Sequence, residues 1–268
     1  MPSPDAGSAT KPSPAKLPSA GAAGTGAATS PSTGGPVTPA TGAGQASSSG
    51  QATCAHPQYV TSDPNGMWNL SPYFVANDMW NISGYNVSQT LYGCSYSDWY
   101  VTATMDNSKG DGAVKTFPNS HRDFDNSPQI SSFKSVTSTF ADSSPGSGTY
   151  EDAYDIWLNG IGGNGATEVM IWTNNHGQTP AGTAQGTVTI GGRSYAVWKT
   201  TGNYIAFVAS ANFTSGSVDL LAFFNWLMSK GWIASSATLA QVDYGVELVS
   251  TNGAPATFTF SNFSVNAS

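Results

Sequence analysis

The chain is poor in charge. Only 9% of its 268 residues are Asp, Glu, Lys or Arg, and nine of them are basic. The formal net charge is −7. So few cations, with an acidic excess, argue against nucleic acid or an anionic membrane as partner. Long apolar runs are missing too. Nowhere do 18 apolar residues follow one another, which excludes a spanning helix of the usual kind. No basic stretch leading into a short apolar one is visible, so an exported form would have shed its signal. Cysteine is scarce: Cys54 and Cys94 allow one disulfide or two free thiols. The low charge and the abundance of Ser, Thr, Asn and Gly favour a secreted protein and the bridge. The three histidines, His56, His121 and His176, lack metal-ligand spacing, so neither a metal nor a cofactor is expected. Rarest among the acids is glutamate: Glu151, Glu168 and Glu247 are the whole set, all in the second half.

A second absence is local. Residues 1–50 hold no aromatic residue, one Leu, one Val, three charges and eight prolines. Such a segment cannot bury enough apolar surface to offset the entropy of ordering it, and its prolines favour extended, solvated chain. It reads as a disordered linker or leader. All eight tryptophans follow it. Residues 51–268 are long enough for one domain with a sizeable core. No oligomerisation signal stands out, so the expected state is a monomer.

What is present in that domain is a rhythm of turns and short apolar runs. Turn signals recur at 63–66 (DPNG), 107–112 (NSKGDG), 143–148 (SSPGSG), 160–165 (GIGGNG), 190–193 (IGGR) and 251–255 (TNGAP). Between them lie runs rich in β-branched and aromatic residues, such as 99–105, 154–158, 186–190, 195–200, 204–210, 244–250 and 257–265. Many short strands joined by turns predict an all-β antiparallel sandwich or jelly roll. One segment breaks the rhythm. Residues 217–232 carry apolar side chains at 220, 223, 224, 227 and 228, a helical stripe, with Ser217 or Asp219 to cap its start and Gly231 to end it. GIGGNG matches a dinucleotide-loop pattern literally, yet it precedes a strand and opens no helix, so it reads as a hairpin turn. Asp98, Asp106 and Asp111 are explained by turn chemistry better than by calcium.

Strand alternation then sorts the acids. In 167–173 (TEVMIWT), Glu168, Met170 and Trp172 share a face, with Val169 and Ile171 opposite. In 154–158 (YDIWL), Asp155 and Trp157 oppose Tyr154, Ile156 and Leu158. In 244–249 (YGVELV), Gly245, Glu247 and Val249 oppose Tyr244, Val246 and Leu248. Each strand offers one aliphatic face to a core and one face bearing a carboxylate. Three such faces on one sheet would make a groove of acids and indoles. That suits sugar, whose C–H face stacks on aromatic rings and whose hydroxyls bind carboxylates. It also suits glycoside hydrolysis, which needs two carboxyl groups flanking the scissile bond. The plain alternative makes these glutamates incidental charges at a strand edge, on a sandwich that binds carbohydrate without cutting it. Glu151, beside Asp152 where a strand begins, reads as solvated.

The same residues carry a family resemblance. ATEVMIWTN (166–174), YDIWL (154–158) and VDYGVEL (242–248) resemble the signature strands of glycoside hydrolase family 12. FVANDMWN (74–81) is similar to an early strand of that family. The helix followed by a strand ending in Gly-x-Glu matches in order. The resemblance spans about 54–266 and implies a jelly roll of two curved sheets binding β-1,4-glucan. It implies a retaining endo-glycosidase with Glu168 as nucleophile, Glu247 as acid/base and Asp155 in support. Met170 would pack beside the nucleophile, Asn77 and Trp80 would line a subsite, and Trp172 would touch the cleft. Cys54 and Cys94 resemble an early disulfide. Retention requires the two carboxyls about 5–5.5 Å apart. Cellulose-type glucan is the expected substrate, with xyloglucan or mixed-linkage glucan as the alternative. Two stretches depart from the pattern: 83–93 reads as an insertion or rearrangement, and 117–127 as a loosely matching cleft loop.

Overall fold

The computed structural model describes residues 54–268; the expected linker over 1–50 lies outside the described residues. In chain order the strands are β1 (Tyr59–Thr61), β2 (Met67–Leu70), β3 (Tyr73–Ala76), β4 (Val87–Ser95), β5 (Asp98–Met105), β6 (Asn119–Asp123), β7 (Val136–Ser143), β8 (Thr149–Leu158), β9 (Thr167–His176), β10 (Thr183–Ile190), β11 (Arg193–Lys199), β12 (Tyr204–Ala209), β13 (Ser215–Asp219), β14 (Leu239–Ser250) and β15 (Ala256–Ala267). A helix, α1 (Leu220–Ser229), lies between β13 and β14. The expected all-β class holds.

The strands form two sheets. One has six strands in the order β1-β4-β5-β15-β7-β13; the other has nine, β10-β11-β12-β9-β8-β14-β6-β3-β2. Alternation explains each layer. On β5, Trp99, Val101, Ala103 and Met105 are buried while their neighbours are only partly covered. On the larger sheet, Tyr154, Ile156 and Leu158 of β8, Val169 and Ile171 of β9, and Val242, Tyr244, Val246 and Leu248 of β14 join the same core. Rings order each layer and join the two: Trp99 stacks on its cross-strand partner Phe260 at 4.1 Å within the smaller sheet, and Phe140 tilts against Tyr244 of the larger sheet at 4.7 Å. Each such buried side chain contributes roughly 1.5–3 kcal/mol of transfer free energy.

The helix covers the back of the larger sheet beyond the smaller one. The Asp219 side chain caps it by accepting from the Ala222 N–H at 3.1 Å, worth about 1 kcal/mol. Gly231, at φ 68°, lets the chain turn away at its end. Leu220, Phe223, Phe224 and Leu227 are buried, with Phe223 edge-on to both Tyr195 and Phe207. The cap is thus Asp219, the residue directly ahead of the helix; Ser217 lies two residues further upstream in β13. The opposite face of the sheet stays open.

Three findings differ from the sequence expectation. The stretch 83–93, expected as an insertion or rearrangement, supplies most of β4, a full strand paired with β5. Residues 119–123, expected as loop, are β6, inserted between β3 and β14. And β12 runs parallel to β9, though antiparallel pairing was expected throughout. The chain reaches β12 from β9 only after the β10–β11 hairpin, and such a crossover is what parallel neighbours need. Cys54 and Cys94 form a disulfide across 40 residues, a loop long enough for about 4 kcal/mol of stabilisation.

Candidate active site

The open face of the larger sheet gathers the acids. On β8 it carries Glu151, Ala153, Asp155 and Trp157, since their chain neighbours Tyr150, Tyr154, Ile156 and Leu158 point into the core. On β9 it carries Glu168, Met170 and Trp172; on β14, Asp243, Gly245 and Glu247. Backbone pairing sets the rungs. Glu168 lies beside Trp157, Met170 beside Asp155, and Trp172 beside Ala153. Asp155 also lies beside Asp243, and Glu151 beside Glu247. On β12, Tyr204 pairs with Glu168 and Ala206 with Met170. Asp155 is therefore a diagonal neighbour of Glu168, as expected.

Exposure separates these groups. Glu168 and Glu247 are partly open to solvent, whereas Asp155 is 1% exposed and Glu151 fully buried. Groups that meet a substrate must be reachable; groups that tune them need not be. Asp155 is oriented by Trp157, whose indole N–H donates to Asp155 Oδ2 at 3.1 Å. That indole is itself packed against Ala166 and Ala240. Met170 accepts from the Trp172 indole at 3.5 Å, and both pack with Ala153 and Ala206.

Glu168 and Glu247 stand at opposite ends of the β8 row. On a flat sheet, a strand rise of about 3.3 Å per residue would put their rungs about 20 Å apart. Bulges interrupt the ladders at Asp152/Ala153, Leu239/Gln241 and Leu248/Ser250 and bend the strands. Tyr204 of β12 lies beside Glu168 on this face. Burial first, then the charges of Glu168, Glu247, Glu151 and Asp155, hold its phenol well above the usual tyrosine range.

The segment ahead of β6 shapes the Glu247 end. Lys115 N–H donates to Leu248 O, Leu248 N–H to Thr116 O, and Val246 N–H to Pro118 O. This crossing explains the glycine of Gly-x-Glu: a Cβ on Gly245 would lie 2.1 Å from Pro118 O. The same segment holds the Trp80 loop, since Asn81 N–H donates to Lys115 O at 3.0 Å and Phe117 N–H to Asp78 O at 2.8 Å. Trp80 is partly exposed, and its indole N–H is buried without an acceptor from the protein.

Several expected residues take other places. Asn77 is fully buried and does not line a cleft; its amide N–H donates to Asp63 O, and its side-chain oxygen accepts from Gln89 at 2.9 Å. Gln89 in turn accepts from Thr116, so Asn77 braces the Trp80 loop against the segment beside Glu247. Trp172, at 2% exposure, is packed into the sheet and offers no stacking face. Glu151, expected in solvent, is fully buried opposite Glu247. Extending the alternation of β8 two residues past Ala153 would have found it. His121 lies on β6 beside Asp243, stacked on Phe74. Tyr204 and Asp243 were missed for want of register, although 204, 206 and 208 share a strand face in the bare sequence.

The comparisons agree with this geometry. Endoglucanase A of Aspergillus kawachii is 29% identical over 239 residues, covering 82% of this chain and 95% of its own. A xyloglucan-specific endo-β-1,4-glucanase A of Emericella nidulans is 31% identical over 179 residues, 63% of this chain and 73% of that one. The solved family 12 xyloglucanase from Bacillus licheniformis superposes with a TM-score of 0.67 at 26% identity, covering 78% of this chain and all of that one. The profile of glycosyl hydrolase family 12 matches residues 71–268, and with paired carboxylates on the open face of a two-sheet fold, the chain belongs to that family: it is a glycoside hydrolase acting on β-glucan.

Proposed function

We propose that the enzyme is a secreted, monomeric, retaining endo-β-1,4-glucanase that cuts cellulose-type glucan by double displacement. The observation that carries this is the pair of partly exposed glutamates, Glu168 and Glu247, on the same face of the larger sheet. Glu247 protonates the glycosidic oxygen while Glu168 attacks the anomeric carbon, and the leaving sugar departs with a new hydroxyl. Water then attacks the glycosyl ester, gives its proton to Glu247 and frees Glu168. Asp155, fixed by Trp157, aligns Glu168 and strengthens it as a base. Trp80 offers the sugar an aromatic surface at the Glu247 end. The disulfide fits an oxidising compartment outside the cell.

Substrate choice within the β-glucans is tested by incubation with carboxymethylcellulose, barley β-glucan and xyloglucan, with reducing ends measured. The first should be cut at least as fast as the others; a clear preference for xyloglucan would reassign the specificity and leave the mechanism intact. Glu168→Gln should lower turnover by a factor on the order of a thousand or more, since a nucleophile is lost. Near-normal turnover by that variant would sink its role. Proton NMR of the first product should show the β-anomer; an initial α-anomer would exclude retention.

A further inference from the structure

Glu151 is in an unusual position for an acid. It is fully buried, and neither of its oxygens receives a hydrogen bond from a protein donor. An ionised carboxylate is acceptor-only, and burying it without a donor costs several kcal/mol. What it faces is another carboxyl: Glu247, its backbone partner across β8 and β14 and on the same open face. Two carboxylates cannot hydrogen-bond to each other unless one carries a proton. With a proton between them the orphaned oxygens of Glu151 are satisfied.

Resting on the assignment of Glu247 as acid/base, we propose that Glu151 is its positioning partner: the two carboxyl groups hold one proton between them and present it, through Glu247, to the glycosidic oxygen. The proton leaves to become the hydroxyl of the departing sugar. The pair is then doubly ionised and strongly basic, and it recovers a proton from the water that cleaves the glycosyl ester, whose hydroxyl goes to the anomeric carbon. No further reactant is needed. A shared proton also keeps both side chains in one orientation through the cycle.

The surroundings favour the protonated pair. The charges acting on Glu151 are those of Glu247 and Asp152, both negative, and with burial they hold its carboxyl well above the usual range. From β9 it faces Asn175, whose amide N–H is taken by Gln178 O. The Tyr204 phenol of β12 feels the charge of Glu151 after those of Glu168 and Glu247 and before that of Asp155. The cation held against β14, Lys115, spends its N–H groups on Val249 O and Ala113 O and feels Asp111 and Asp106.

The chain contains three glutamates, so glutamate labelled with carbon-13 at Cδ yields three carboxyl resonances, assigned with Glu151→Gln, Glu168→Gln and Glu247→Gln. In the full wild-type chain, Glu151 and Glu247 should titrate together in two steps, the second well above the usual carboxylate range. In Glu151→Gln, Glu247 should titrate in one step, and the alkaline limb of kcat/KM on β-glucan should move down by about one pH unit or more, because a like charge is gone and an amide donor favours the carboxylate. Glu151→Asp should restore much of the limb. An unmoved limb in folded Glu151→Gln would overturn the proposal. So would a wild-type Glu151 that ionises below pH 5 independently of Glu247, which decides the matter even if the glutamine variant does not fold. Glu247→Gln separates the two levels. It should lose cleavage of β-glucan yet keep a burst of dinitrophenol release from a dinitrophenyl cellobioside, whose leaving group needs no acid, followed by slow turnover because the base for the second step is gone. If Glu247→Gln instead cuts β-glucan like wild type, the acid/base assignment itself is wrong.

Discussion

Trp157 shows how one side chain can matter without meeting substrate. Its indole N–H holds Asp155, and its backbone pairs with Glu168. Removing that N–H leaves a buried carboxylate short of a donor, a loss of about 1–1.5 kcal/mol for one hydrogen bond. Trp157→Phe should therefore lower kcat/KM on β-glucan about tenfold and the melting temperature by only a few degrees; steady-state kinetics beside a thermal melt would check it. A large fall in stability with unchanged specific activity would make Trp157 a core residue only. Both Asp155 and Trp157 were legible in the sequence by alternation. Their hydrogen bond was not, because alternation assigns a face and says nothing about which neighbours on it touch.

Among the strands, β14 is where local and long-range demands meet. Gly-x-Glu reads as a motif, but its glycine is explained only by the segment crossing at Pro118 and Asn119. Gly245→Ala would push a Cβ into backbone that has nowhere flexible to go. A loss of about 1–3 kcal/mol follows from overpacking of this kind, with lower turnover as Glu247 and the Trp80 loop shift together. Thermal unfolding and kinetics should move in parallel; a melt like wild type would show that the crossing segment yields. Helix α1 was legible from its apolar stripe and cap. Strand β4 was not, because the polar residues of 87–95 face outward on one side, and Gln89, one of its inward residues, is polar and buried in the network with Asn77 and Thr116.

The domain as a unit carries a second set of buried acids, on the core side, where the two sheets meet. The Tyr244 hydroxyl donates to Asp142 Oδ2 at 2.6 Å, and Asp152 accepts from Ser144 and Asn174. Burial, then the charge of Asp152, pushes Asp142 up to about 8, against the hydrogen bond from Tyr244. Burial pushes Asp152 up to about 7, against its bonds from Asn174 and Ser144. In the unfolded chain both would titrate near 3.8. The folded state thus keeps protons that the unfolded chain has released. The stability this confers is full below about pH 4 and is lost as pH rises through 7 to 8. The melting temperature should fall between pH 5 and pH 8.5, and Asp142→Asn should flatten that fall. A wild-type melting temperature that rises over this range would contradict it.

By itself the sequence determined the β class, the single helix, the turns that join the strands, and the face on which Asp155, Glu168 and Glu247 lie. All of these depend on periodicity and local backbone preference, which a few neighbouring residues encode. Tertiary structure alone decided that β12 runs parallel to β9, that Asn77 and Trp172 are buried, that Glu151 opposes Glu247, and that Tyr204 pairs with Glu168. Each of these depends on register between strands far apart in the chain and on bulges that bend the sheet. A shift of one residue in register would move every side chain of a strand to the other face, and no local pattern sets it.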